Sequence, residues 1–215
     1  MKFGVLGTGM VGEAIASRLA ELGHEVRMGA RDAANPKARA WASKAGGKAS
    51  SGTFADAAAF GEVVFHCARG DAAIEVLRSA GRENFRDKVL VDVSNPLEFP
   101  PGAPPRLFTA AAGDSLAERI QAELPEARVV KALNTVNANV MGHPEKLSGE
   151  TDLFVAGNDA SAKGKVTALL REFGWKSVVD LGDLTAARGM EAYLLLWLRL
   201  SAALKTAMLN VKIVR

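Results

Sequence analysis

Of the 215 residues only one is a cysteine, Cys67. A lone thiol cannot close an internal disulfide, and no Cys/His spacing of the metal-binding kind occurs, so neither cross-links nor a metal is expected. Aromatic residues are scarce at 6%, and only one is a tyrosine. There is no basic stripe interleaved with aromatics; 27 basic and 24 acidic residues leave a net charge of +3. Nucleic acid is therefore not the expected partner. The most apolar stretch, 192–200, contains Arg199 and falls short of the ~20 residues needed to span a bilayer. No signal-peptide pattern precedes the first apolar run. These absences point to a cytoplasmic setting, no membrane, and a small-molecule partner, which the mild positive charge suits if it is anionic.

What is present begins at the N-terminus. Gly7-Thr8-Gly9-Met10-Val11-Gly12 reads G-x-G-x-x-G. An apolar run at 2–6 precedes it and reads as a buried strand. Ile15, Leu19 and Leu22 follow at helical spacing, and Gly23 is a natural stop. Gly7 allows the tight turn, Gly9 lets backbone approach a pyrophosphate, and Gly12 lets helix and strand pack closely. The helix start offers N–H groups and a positive dipole end to phosphate. Strand, glycines, helix and a second strand in that order favour a dinucleotide site; the alternative is a structural turn.

With 48% hydrophobic residues the chain can build one real core. Strands are expected at 2–6, 25–29, 48–50, 62–67, 88–93, 128–133, 153–156 and 178–179. Helices are expected at 13–22, 36–45, up to 60 with Thr53 or Asp56 as cap, 71–79, 115–123, 159–173 and 186–209. Five prolines between Pro96 and Pro105 exclude regular helix or central strand, so 97–113 is expected as a long surface loop. This alternation implies an α/β, Rossmann-type doubly wound, mostly parallel sheet with a small C-terminal helical and strand extension. The expected division is a nucleotide-binding part, 1–150, and a smaller part, 151–215, that completes an acceptor cleft. The last helix is apolar on much of its surface (Leu194 to Leu198, Leu200), so it either packs across the sheet as a core helix or meets a second subunit.

In NAD-specific folds a carboxylate ends the second strand and binds the ribose. Here Gly29-Ala30-Arg31 stands in that place. A guanidinium there pairs with a 2′-phosphate, and Lys37 and Arg39 add charge, which favours NADP(H). Asp32 offers an alternative, a solvated Arg31–Asp32 pair. Ligands of such sheets lie beyond the strand carboxyl ends. That rule selects the loops at Ala68-Arg69, Ser94-Asn95 and Asn134-Thr135. His66 and Cys67 are strand neighbours that point to opposite faces, so they cannot act as a pair. His143 has no evident partner, and His24 reads as a surface residue. Lys131 reads first as structural, with a general-acid role as the alternative. Tyr193 has Trp197 four residues on, so no Tyr-x-x-x-Lys pair exists. With no evident acid or base, hydride transfer between two flat rings is favoured, since it needs positioning more than a proton donor.

Gly7–Gly12, Gly29-Ala30-Arg31, Leu90-Val91-Asp92-Val93-Ser94-Asn95-Pro96, Val129-Val130-Lys131-Ala132-Leu133-Asn134 and Val179-Asp180-Leu181-Gly182-Asp183-Leu184, with Glu191-Ala192 beyond, span nearly the whole chain. In these segments the chain resembles the F420-dependent NADP oxidoreductases, which include the reductase domain of the STEAP metalloreductases. The resemblance implies an NADPH-dependent oxidoreductase passing hydride to or from coenzyme F420 or a flavin (FMN or FAD), commonly as a homodimer. It implies that Thr8, Gly9, Met10 and Val11 hold the pyrophosphate and that Ala30 and Arg31 take the 2′-phosphate. Ala68, Arg69 and Ala138 would lie along the cofactor, with Asn95 and Asn134 shaping the ring site. The resemblance departs at Asn134, where the archaeal deazaflavin enzymes carry His and the flavin-using branch is closer. The alternatives are a reductase of a small imine or keto acid and a non-catalytic NADP-binding sensor.

Overall fold

A computed structural model of the protein describes residues 1–214. In chain order the strands are β1 (Lys2–Leu6), β2 (Glu25–Ala30), β3 (Ala49–Thr53), β4 (Val63–His66), β5 (Val89–Asp92), β6 (Leu97–Glu98), β7 (Arg106–Leu107), β8 (Arg128–Ala132), β9 (Asp152–Gly157) and β10 (Ser177–Asp180). The helices are α1 (Met10–Glu21), α2 (Pro36–Ala45), α3 (Phe54–Phe60), α4 (Ala73–Ser79), α5 (Leu116–Glu123), α6 (Ala138–Met141), α7 (Ala160–Glu172) and α8 (Ala187–Leu204). Eight strands form one sheet in the order β10-β9-β8-β5-β4-β1-β2-β3, and β6 and β7 pair separately. The fold is a Rossmann-type, mostly parallel α/β sheet.

The central strands read as unbroken apolar runs because helices cover both faces. Phe3, Val5, Phe65, Val91 and Val130 point to one face, under Ile15 of α1, Trp41 of α2, Val140 of α6 and Leu170 of α7. Leu6, Val64, Leu90 and Val129 point to the other, under Ala57 of α3, Leu77 of α4, Ile120 of α5 and Ala187 of α8. Local chemistry fixes the helix starts. Thr53 and Asp56 form a capping box, as do Ser115 and Glu118, while Asn35 and Asp159 each accept an N–H of their own helix.

Three features differ from the simple alternation expected. First, β9 runs antiparallel to β8, with Lys131 opposite Ala156. The connection between them is short α6 and one 3-10 turn, Pro144–Lys146, neither of which was expected. No crossover helix returns the chain to the amino end of the sheet, so the next strand must run back down. Second, residues 97–113 are not structureless. Leu97 pairs with Leu107 and Glu98 with Arg106 in a two-residue ladder, reinforced by the Arg106–Glu98 ion pair. The prolines hold this ribbon off the main sheet. Third, α8 ends at Leu204, where Lys205 takes a left-handed conformation, rather than running to 209. Its buried positions stop at Leu194, and Leu195, Leu196 and Leu204 are exposed. Residues 151–214 extend the same sheet through β9 and β10. Among the described residues no helix is long and apolar enough to cross a membrane.

Candidate functional site

The glycine turn joins β1 to α1 at the centre of the sheet. Gly7 has φ 133°, a conformation that a side chain resists. A Cβ on Gly12 would stand 2.1 Å from the Gly7 carbonyl oxygen, so only glycine permits this approach. The starts of α2, α3, α5, α6 and α7 are capped by side chains, those of α1, α4 and α8 are not, and at α1 the capping residue is Gly9. Space in front of Gly9 is open, with no atom within 4 Å of a built Cβ. An open, positively polarised helix start is what an incoming phosphate requires.

Two cavities meet at this point. One, of about 370 Å³, is lined by Thr8, Gly9, Met10, Met28 and Lys37. The other, of about 500 Å³, is lined by Gly9, Met10, Val11, Ala68, Arg69 and Asn95, with Cys67, Ser94 and Phe99 on its walls. Burial pushes the Cys67 thiol pKa up, so it presents an apolar surface there rather than a thiolate. Ala30 is buried at the end of β2, and the Arg31 side chain beyond it is 81% exposed, 3.7 Å from Glu75. Asp32 does not orient Arg31; its Oδ1 accepts the Ala34 N–H at 2.8 Å. Arg39 donates to the Ala33 carbonyl. Arg69 is exposed and pairs with Asp71. Ala138 opens α6 and lines neither cavity, and Asn134 is buried behind the second one.

Asn134 joins three segments. Its Nδ2 donates to Asn95 Oδ1 and to the Met190 carbonyl, both at 3.0 Å, while Asn95 Nδ2 donates back to the Asn134 carbonyl at 3.0 Å. Leu133, just before it, is fully buried with φ 62°. A branched residue in that region carries strain and persists only where its surroundings over-determine it.

Beneath this junction lies a buried ionic cluster that sequence reasoning did not assemble. His66 and Asp92 close β4 and β5, Lys131 is the penultimate residue of β8, and the register places the three side by side on one face. His66 Nδ1 donates to Asp92 Oδ1 at 3.2 Å, and the Ser94 N–H and hydroxyl donate to the same oxygen at 3.0 and 2.6 Å. Lys131 Nζ donates to Asp92 Oδ2 at 2.7 Å, to the Ser94 carbonyl at 2.6 Å and to Glu191 Oε1 at 2.8 Å. Glu191, from α8, also accepts the Leu116 and Ala117 N–H groups at the start of α5. Burial opposes the charge on Asp92, but Lys131 and His66 outweigh it and hold the carboxyl well below the usual carboxylate range. Burial likewise opposes the charge on Lys131, and Asp92 and Glu191 more than compensate, raising it. Burial pushes Glu191 upward against the pull of Lys131. Lys131 is thus fully enclosed and structural, with no path to act as an acid in the cleft. The signal that could have revealed the cluster was a polar residue at or next to the carboxyl end of each of three apolar strands, Val63–His66, Val89–Asp92 and Arg128–Ala132.

His143 does have partners, Glu145 at 3.0 Å and Glu21 at 3.4 Å, on the outside of the molecule. His24 packs on Phe3 near Glu172, more enclosed than a surface residue.

Comparison with known proteins fits this geometry. The family described as NADP oxidoreductase coenzyme F420-dependent matches residues 2–96. The chain is 30% identical to the F420-dependent NADP reductase of Methanothermobacter thermautotrophicus, covering 89% of this chain and 85% of that protein. It is also 30% identical to the metalloreductase STEAP3 of Rattus norvegicus, over 89% of this chain but only 36% of that protein's length. A solved protein from Arthrobacter sp. FB24, provisionally named an F420-dependent NADP reductase, superposes with a TM-score of 0.93 at 46% identity over 100% of both chains. Imine reductases also superpose, with TM-scores of 0.66, but at 18% to 24% identity they share the fold alone. With its glycine turn, its open α1 start and relatives that match most of both chains, the protein belongs to the F420-dependent NADP oxidoreductase family.

Proposed function

We propose that the protein is an NADPH-dependent oxidoreductase that passes hydride between NADP(H) and a deazaflavin of the coenzyme F420 type. The observation that carries this reading is the uncapped start of α1, where two cavities meet. Thr8, Gly9, Met10 and Val11 hold the pyrophosphate there. Ala30 and Arg31 take the 2′-phosphate, Arg31 being exposed and its neighbour Asp32 engaged elsewhere. Lys37 borders the same side. Ala68, Arg69 and Asn95 flank the ring end, with Ala138 further along the cofactor and Asn134 positioning Asn95 from behind. When bound, NADPH supplies hydride from its dihydronicotinamide ring. The protein's own share is alignment and exclusion of water, which suits a cleft walled by Cys67, Val93, Leu97 and Phe99. A second copy of the chain covers Leu195, Leu196 and Leu204 of α8, making a homodimer.

The experiment is to follow NADPH absorbance with purified protein and F420, with FMN or FAD, and with NADH controls. Rapid oxidation with F420 and NADPH supports the reading. Oxidation with flavin alone replaces the acceptor and keeps the donor. Binding of NADPH without oxidation by either acceptor overturns the proposed reaction.

A further inference from the structure

We propose that Lys131 is a positioning residue: through Ser94 and Glu191 it sets the Asn95–Asn134 floor on which the nicotinamide end of the cofactor rests. The inference builds on the NADP reading above and assigns a task to a cluster that no step of hydride transfer uses directly.

Several observations converge on it. Every donor of the Lys131 ammonium is spent on a structural partner, and none is free for a ligand. One of those partners is the main-chain carbonyl of Ser94, the residue before Asn95 in the cleft wall. Another is Glu191, next to Met190, whose carbonyl receives Asn134. Lys131 therefore grips both segments that Asn134 also joins, the β5 loop and α8. The strained Leu133 lies between these anchors, held by Lys131 on one side and Asn134 on the other. Burying three charged side chains at 0% to 1% exposure is costly, and well-packed apolar residues would serve stability alone as well or better. A directional ammonium with three fixed acceptors instead specifies where a loop carbonyl stands. The phosphate end has no such device, since it is formed by a helix start and exposed cations.

The role predicts a split between two ligands that share the phosphate end and differ at the ring end. NADPH carries both; 2′-phospho-ADP-ribose lacks the nicotinamide. Titration calorimetry of Lys131→Met should show an NADPH Kd raised about tenfold and a 2′-phospho-ADP-ribose Kd within about twofold of the parent. With F420 as acceptor, kcat should fall on the order of 100-fold, the scale of loss expected from a small misplacement of reacting groups. Glu191→Gln keeps side-chain shape and one acceptor, and should show the same split at smaller size; it carries the comparison if Lys131→Met does not fold. Equal weakening of both ligands, or a lowered Tm with both affinities intact, overturns the positioning role while leaving the NADP reading standing. If the parent protein binds neither ligand, the NADP reading falls, and the role of Lys131 with it.

Discussion

The cleft has two ends built on different plans. At the glycine turn the working parts are neighbours in sequence: β1, the turn, α1, and two cations just past β2 in exposed or rim positions. At the other end the floor is assembled from residues 66, 92, 94, 95, 131, 134 and 191, all buried except the half-buried Asn95, and hydrogen bonds link them to one another. A phosphate is charged and tolerant of small displacements, so main-chain N–H groups and mobile cations suffice for it. A flat ring that must give up hydride in one direction requires a surface of fixed height. Rigidity there comes from many partners per side chain rather than from any one strong bond.

The greatest loss should follow from disturbing the buried end. Asp92→Ala leaves Lys131, His66 and Ser94 without their shared acceptor in a fully buried site. Removing one partner of such a cluster costs about 3–5 kcal/mol, so the urea midpoint should fall sharply. A midpoint within error of the parent would show that the cluster is not structural.

The next effects break the local end. Gly12→Ala drives a methyl group towards the Gly7 carbonyl, a backbone atom that cannot yield. Overpacking of this kind costs about 1–3 kcal/mol in stability and should displace the turn enough to abolish measurable NADPH binding. Intact binding in that variant would mean the turn is not the phosphate cradle. Arg31→Ala should weaken NADPH by roughly 10–100-fold, the scale of a charged hydrogen bond to phosphate, and leave NADH unchanged. Equal losses for both nucleotides would remove Arg31 from 2′-phosphate recognition.

A more modest change reports on how α8 is fastened. Arg188 on α8 grips Glu118 on α5, and with Ser115 it brings the Glu118 pKa down to about 2. A depressed carboxylate stabilises the fold above its unfolded value and loses that contribution as pH falls through its folded value. Stability should therefore decline between about pH 4.5 and 2. Glu118→Gln should flatten part of that decline, by a modest amount because Arg188 is half exposed. An unchanged acid limb in the variant would place the titration elsewhere. If the proposed dimer forms through the exposed part of α8, Leu196→Ser should convert it to a monomer in analytical ultracentrifugation with little change in Tm; an unchanged sedimentation coefficient would show that this face is not an interface.

Several elements could be read directly because their causes are local. The expected cap at Asp159, the Thr53–Asp56 alternatives and the N-terminal Pro36 all occur as side-chain chemistry within four residues of the helix they start. Four of the expected site residues, Thr8, Gly9, Met10 and Lys37, gather at one cavity. Gly9, Met10, Val11, Ala68, Arg69 and Asn95 gather at the other. The reversal of β9 was not legible, because α6 and the 3-10 turn are too short to leave a periodic signal. Nor was the fate of α8. Its apolar surface is similar before and after Leu194, and only the position of α5 and β8 decides which half is covered.

The glycine turn, the helix starts, the alternation of layers and the cations beyond β2 are all readable in the chain alone. Each depends on sterics or hydrogen bonds within a few residues, which any fold containing the segment must respect. That His66, Asp92, Lys131 and Glu191 form one cluster and that Asn134 faces Asn95 follows from the assembled sheet and helices alone. Those contacts exist because β4, β5 and β8 lie adjacent in the sheet, a consequence of how whole layers bury their apolar faces and not of any short segment.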